Sequence, residues 1–107
     1  MLFSEISIIT KLKHPNILRC YDVYSTVNNC YIITEYCGDG DLAGQLQTAG
    51  RFEEVVALAM MRDIVAGFVE IASRGYLHRD LKPANILVKK GVCKIADFGF
   101  AKKYAVG

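Results

Sequence analysis

Three oxygen-bearing side chains, Asp80, Asn85 and Asp97, fall at the ends of short apolar runs. Tyr76-Leu77 leads into His78-Arg79-Asp80-Leu81-Lys82-Pro83-Ala84-Asn85, a loop crowded with charge, and then into Ile86-Leu87-Val88. A second run, Cys93-Lys94-Ile95-Ala96, ends on Asp97-Phe98-Gly99. Two strands, Ile86 to Val88 and Val92 to Ala96, joined by a tight turn at Lys89-Lys90-Gly91, would return Asp97 towards Asn85. Such oxygens suit a hard cation. Mg²⁺ takes one or two protein oxygens and leaves its other positions to phosphate and water. Taken singly the residues have plainer readings. His78 alone reads as a satisfied core histidine, Arg79 with Asp80 as a structural ion pair, and Phe98 as core.

The rest of the sequence must position these groups. Leu2 to Lys13 reads as a helix, because Leu2, Ile6, Ile9 and Leu12 share one face. His14-Pro15-Asn16 ends it, since proline disfavours helix at the residue before it. Glu5 lies on or beside the apolar stripe, where a carboxylate wants a cation; a terminal glutamate reaching water is the plainer alternative. Leu18 to Tyr24 and Asn29 to Tyr36 read as strands with a turn between them. Gly38-Asp39-Gly40-Asp41 is an acidic turn, and Asp41 suits a helix N-cap. It matches neither a phosphate loop nor a calcium loop. Leu42 to Thr48 is a short helix ended by Gly50, and Glu53 to Ser73 a long one ended by Gly75. The long helix carries two apolar stripes, Val56-Met60-Ile64-Phe68-Ile71 and Leu58-Met61-Val65-Val69-Ala72. Together they exceed half its circumference, which calls for several packing neighbours. Few segments of this sequence remain to supply them, so part of the fold is expected to be missing.

With 107 residues the chain is one small domain at most. A net charge of +2 makes no electrostatic case for nucleic acid. No apolar run approaches the ~20 residues that span a bilayer, and Glu5 and Ser7 interrupt any signal-peptide pattern. Cys20, Cys30, Cys37 and Cys93 lack metal-ligand spacing. Reduced thiols in a cytoplasmic or nuclear protein are the expectation.

The ordered set 78–85 followed by 97–99 resembles the catalytic loop and the metal-binding Asp-Phe-Gly motif of eukaryotic protein kinases. The resemblance covers all 107 residues and implies an α+β, protein kinase-like fold in part. Residues 1–34 would be a small-lobe remnant (the end of helix C and two strands) and 35–41 the hinge. Residues 42–107 would be part of the large lobe: helices D and E, the catalytic loop and the start of the activation loop. The resemblance also implies the cofactors, ATP and Mg²⁺, and a partner, a protein substrate with a Ser or Thr hydroxyl. Asp80 would orient that hydroxyl and accept its proton, and Lys82 would offset charge on the transferring phosphate. Lysine at this place looks like a serine/threonine rather than a tyrosine kinase. Asn85 and Asp97 would hold Mg²⁺. Thr34 would be the gatekeeper, and Glu35 and Cys37 would offer backbone groups to adenine. Asp41 would approach the ribose or a basic substrate side chain, although capping is its favoured role. Leu87 would form the floor under the base. Glu5 stands at the family's ion-pairing glutamate, whose lysine partner would precede Met1. Arg79 would meet an activation-loop phosphate, and Ile9, Cys20, His78 and Phe98 would stack as a regulatory spine.

Residues 35–42 with 95–102 look closest to the autophagy-initiating (Unc-51-like) serine/threonine kinases. The sequence holds no glycine-rich loop and no peptide-binding platform, so by itself it is expected to turn over little or not at all. A non-catalytic kinase-like interaction module is the alternative.

Overall fold

The computed structural model describes residues 10–96 and the backbone of residues 102 and 103. The helix expected over Leu2 to Lys13 falls largely on residues 1–9, outside this range, and Glu5 with it; its last part is corrected, since residues 10–13 are turn and irregular chain leading into His14-Pro15. Leu12, the last residue of its apolar stripe, is buried.

β1 (Cys20–Ser25) and β2 (Cys30–Thr34) form an antiparallel hairpin. Its turn is closed by Thr26, whose N–H donates to the Asn29 carbonyl at 2.7 Å and whose hydroxyl accepts from the Asn29 N–H at 3.1 Å. The strand expected from Leu18 begins two residues later. Leu18 is captured elsewhere: its N–H donates to the Ile95 carbonyl at 2.9 Å. The register also shifts between Cys20 and Asp22.

After residues 35–41 comes helix α1 (Leu42–Ala49). Asp41 caps it, accepting from the Gly44 N–H at 2.8 Å, as its residue type and place predict. Gly50 ends it at φ +79°, a conformation open to glycine. Helix α2 (Glu54–Ser73) follows. Then come β3 (Tyr76–Leu77), a 3₁₀ turn (Pro83–Asn85), β4 (Ile86–Lys89), β5 (Val92–Ile95) and β6 (Lys102–Lys103). β3 pairs with β6 and β4 with β5, both antiparallel. The β4–β5 turn uses Lys90 at φ +51° and Gly91 at φ +79°, as a two-residue mirror-image turn requires.

The core lies between α2 and the β4–β5 hairpin. Ile71 of α2 belongs there to one buried cluster with Ile17, Ile86, Val88, Cys93 and Ile95. The turn at residues 14–18 is bound to the other side of β5. The Ile95 N–H donates to the Asn16 carbonyl at 2.9 Å, and the Asn16 amide donates to the Cys93 carbonyl at 3.0 Å. Asp63 of α2 accepts from the Cys93 N–H at 3.0 Å. β5 is thus held from the helix, from β4 and from the turn at once.

The two stripes of α2 fare differently. Met60, Ile64 and Ile71 reach the core. Val56 and Phe68 of the same stripe, and Leu58, Met61, Val65 and Val69 of the other, are exposed. The apolar circumference exceeds what the described residues cover. The architecture is α+β, the kinase-like arrangement expected from the sequence. No described helix is long and apolar enough to cross a membrane.

Candidate active site

The charged loop is built on backbone contacts that fix His78 first. Its ring is buried. Nε2 lies 2.8 Å from the Ala96 carbonyl, and Nδ1 lies 3.2 Å from the Asp80 N–H. A backbone N–H can only donate and a carbonyl only accept. The ring is therefore the neutral tautomer with its hydrogen on Nε2. His78 thus ties Asp80 to Ala96, the residue before Asp97.

Asn85 makes the second tie. It is buried, and its Nδ2 donates to the Asp80 carbonyl at 2.7 Å and to Asp80 Oδ2 at 3.0 Å. The Ala96 N–H donates to the Asn85 carbonyl at 2.9 Å. With both amide hydrogens committed to Asp80, the amide oxygen is turned away and offers a neutral oxygen ligand. Lys82 Nζ stands 3.8 Å from Asp80 Oδ1, with the Lys82 side chain exposed and that of Asp80 half-buried. Asp80 therefore presents a carboxylate steadied on one oxygen by an amide and approached on the other by a cation. Arg79 is exposed, and its backbone sits at φ +68°, a region costly for a side chain of this size. Pro83 starts the 3₁₀ turn that swings Asn85 inward, with φ already set by its ring.

Residues 35–41 lie against the β4–β5 hairpin. The Val88 N–H donates to the Gly40 carbonyl at 2.8 Å, and the Lys90 N–H to Asp39 Oδ2 at 2.7 Å. Asp41 forms an isolated bridge with Leu87, which is half-buried. Thr34 and Cys37 are half-buried too. The Thr34 hydroxyl donates to the Glu35 carbonyl at 3.2 Å, and the Cys37 carbonyl accepts from the Gly40 N–H at 3.2 Å. Burial is the main force pushing the Cys37 thiol up, with the Glu35 charge adding to it, so the thiol stays protonated and a poor nucleophile.

Asp80, Lys82 and Asn85 are thus brought together, and Thr34, Glu35, Cys37, Asp41 and Leu87 gather on the hinge side. Asp97, Phe98 and Glu5 lie outside the described residues.

Sequence reasoning missed the side chain of Glu35. It is buried, with Oε1 3.2 Å from Lys94 Nζ and 2.9 Å from the Arg19 N–H. Oε2 lies 3.4 Å from Lys89 Nζ. Lys94 also donates to the Pro15 carbonyl at 2.8 Å. The signal was present: a lysine between Cys93 and Ile95 in an apolar strand needs an anion, by the same argument applied to Glu5. Burial acts to raise the Glu35 pKa, but the Arg19 N–H, Lys94 and Lys89 together outweigh it and hold the carboxyl below its ordinary value. A lowered folded-state pKa stabilises above the unfolded carboxylate range, and this contribution is lost as pH falls through the folded value. Urea midpoints of the wild type and Glu35→Gln, followed down in pH, should lie furthest apart near neutrality and converge in acid. A gap that does not narrow would refute this.

The protein kinase domain model matches residues 1–107. The chain is 40% identical over 105 residues to serine/threonine-protein kinase ATG1a of Arabidopsis thaliana, covering 94% of this chain and 17% of that protein. It is 40% identical over 107 residues to serine/threonine-protein kinase DCLK3 of Homo sapiens, covering 95% and 16%. Against serine/threonine-protein kinase ULK1 of Homo sapiens it is 38% identical over 112 residues, covering 95% and 11%. The ATG1a and ULK1 matches agree with the resemblance seen in residues 35–42 and 95–102. The chain spans less than a fifth of the length of these relatives. With a family model matched from end to end and the charged loop folded around Asp80 and Asn85, the chain belongs to the protein kinase domain family.

Proposed function

We propose that this chain is a segment of an ATP-dependent protein serine/threonine kinase, which transfers the γ-phosphate of MgATP to a protein hydroxyl. One observation carries the reading: the Asp80 carboxylate is held by the Asn85 amide and faced by Lys82. In phosphoryl transfer the protein mainly positions groups and offsets charge. Asp80 orients the Ser or Thr hydroxyl and takes its proton as the oxygen attacks the γ-phosphorus and ADP departs. Lys82 offsets the charge spreading over the transferring phosphate. Thr34, Glu35, Cys37 and Leu87 border the adenine, with Asp41 near the ribose. Arg79 answers an activation-loop phosphate, and Glu5 and Phe98 belong to the regulatory assembly.

The residues fit Mg²⁺. No three His, Cys, Asp or Glu side chains cluster as ligands among the described residues, and a metal brought in on nucleotide phosphates needs no such cluster. Asn85 supplies a neutral oxygen and Asp97 would supply an anionic one. The ion would neutralise phosphate charge, and the two side chains would hold it. Cys20, Cys37 and Cys93 are free thiols, which supports a cytoplasmic setting.

Transfer from γ-labelled ATP to a Ser/Thr protein tests the reading on the protein at its natural length. Label recovered on serine or threonine is the expected result. No transfer to any acceptor, with Mg²⁺ present, would sink it. The 107-residue chain alone is expected to give little or none, for want of a glycine-rich loop. The exposed α2 face supports a second reading, a non-catalytic interaction module. Stable capture of a full kinase domain by a chain that binds no nucleotide would favour it.

A further inference from the structure

The hydrogen bonds where β2 runs into the hinge depart from a regular ladder. Cys20 pairs with Thr34, so the next pair inward is Arg19 with Glu35. In an antiparallel ladder such a pair exchanges two bonds, each N–H to the other carbonyl. The first is present: the Glu35 N–H donates to the Arg19 carbonyl at 2.9 Å. The second is diverted. The Arg19 N–H donates at 2.9 Å to Oε1 of the Glu35 side chain, not to the Glu35 carbonyl. The carboxylate is locked in that place by Lys94 and Lys89 at 3.2 and 3.4 Å, and Lys94 is itself anchored on the Pro15 carbonyl.

We propose that the Glu35 carboxylate displaces its own backbone carbonyl from the ladder, and so frees that carbonyl to accept the exocyclic amine of a purine nucleotide. This rests on the reading of residues 35–41 as the adenine-binding hinge; what it adds is a positioning role for the side chain. Among the described residues the Glu35 carbonyl holds only the Thr34 hydroxyl, at 3.2 Å, and a carbonyl oxygen has two lone pairs. A second acceptor site therefore remains for a ligand amine. Without the carboxylate, the Arg19 N–H would lose its acceptor in this part-buried bond, and the Glu35 carbonyl, its regular partner in a ladder, would take its place. The ladder would then compete with the base for that oxygen. Lys94 extends the device. It lies three residues before Asp97 on β5, so the clamp that releases the hinge carbonyl also fixes the hinge against the strand leading to the metal-ligand candidate.

The test compares ATP with purine riboside triphosphate, which lacks the exocyclic amine and has no use for this carbonyl. Both affinities are measured with Mg²⁺ on the protein at its natural length. For the wild type we expect ATP to bind about tenfold tighter, the usual worth of one hydrogen bond in a dry site. In Glu35→Ala the preference should fall close to one, through weaker ATP binding alone. Glu35→Gln keeps an oxygen for the Arg19 N–H and should retain most of the preference. A merely structural lesion would weaken both nucleotides equally. An unchanged preference in Glu35→Ala, or an equal loss for both ligands, overturns the inference and leaves the kinase reading standing. If the wild type binds neither nucleotide, the kinase reading fails and this inference fails with it. A measurement without variants covers the case where Glu35→Ala does not fold. A nuclear-spin coupling across the Arg19 hydrogen bond should reach the Glu35 side-chain carboxyl carbon. A coupling to the Glu35 backbone carbonyl carbon would overturn the proposal.

Discussion

Replacing Asp80 by asparagine should lower the phosphotransfer rate by about 10²–10⁴-fold, the range that a positioned general base contributes, with the protein still folded and nucleotide affinity little changed. The fold survives because the contacts that shape the loop use the backbone of residue 80. Its N–H reaches His78 Nδ1, and its carbonyl takes the Asn85 amide at 2.7 Å. The amide introduced by the substitution can still offer one oxygen to Asn85 Nδ2, so the buried Asn85 side chain keeps its second partner. What is lost is the anion. An amide cannot take the hydroxyl proton, and Lys82 then faces no opposing charge on this residue. Asn85→Ala should behave differently. It strips the Asp80 carbonyl and carboxylate of their donor together, and it removes the oxygen proposed for Mg²⁺. Its loss should therefore appear in Mg²⁺ dependence as well as in rate. Single-turnover transfer from labelled ATP, with nucleotide binding measured separately, distinguishes the two. A wild-type rate in Asp80→Asn would remove Asp80 from the chemistry.

How much of this was legible in the sequence depends on where each bond is made. The long helix was read from its stripes as Glu53 to Ser73 and is found at Glu54–Ser73, because side-chain periodicity and a terminal glycine are local signals. Asp41 was legible as a cap for the same reason. Strand ends were not. Leu18 and Arg19 favour strand, but Leu18 spends its N–H on Ile95, far along the chain, and Arg19 on a side chain. In the site, the motif named Asp80 and Asn85 but could not reveal that one holds the other. That follows from the 3₁₀ turn at Pro83–Asn85 and from Ala96 reaching back to the Asn85 carbonyl. Glu35 was picked out for its backbone alone. Its carboxylate joins Arg19, Lys89 and Lys94, which are distant in sequence, and only the paired strands bring them within reach.

Gly67→Ala should destabilise the protein, although alanine is the better helix former. Gly67 lies inside α2, and helix propensity alone would predict a gain of about 1 kcal/mol. Space decides the sign. A Cβ at residue 67 would stand 2.6 Å from the Asn16 carbonyl oxygen and 3.1 Å from Ile95 Cδ1. The first neighbour is backbone and cannot swing aside. It is already bonded to the Ile95 N–H, while the Asn16 side chain holds the Cys93 carbonyl. The helix must retreat from β5 or the turn must leave it, and overpacking of this kind costs about 1–3 kcal/mol. After the propensity gain is offset, a net loss of up to about 2 kcal/mol remains for Ala, towards the upper end because the 2.6 Å neighbour is backbone, with a larger loss for Val. Urea unfolding gives the number, and an alanine variant as stable as the wild type would refute the packing argument. The functional consequence follows from what β5 carries. Its far end leads through Ala96, which bonds both His78 and Asn85, to Asp97. A shift of β5 away from α2 therefore moves the residues that orient Asp80. Gly67→Ala should slow transfer in the folded protein even at concentrations of nucleotide that saturate it.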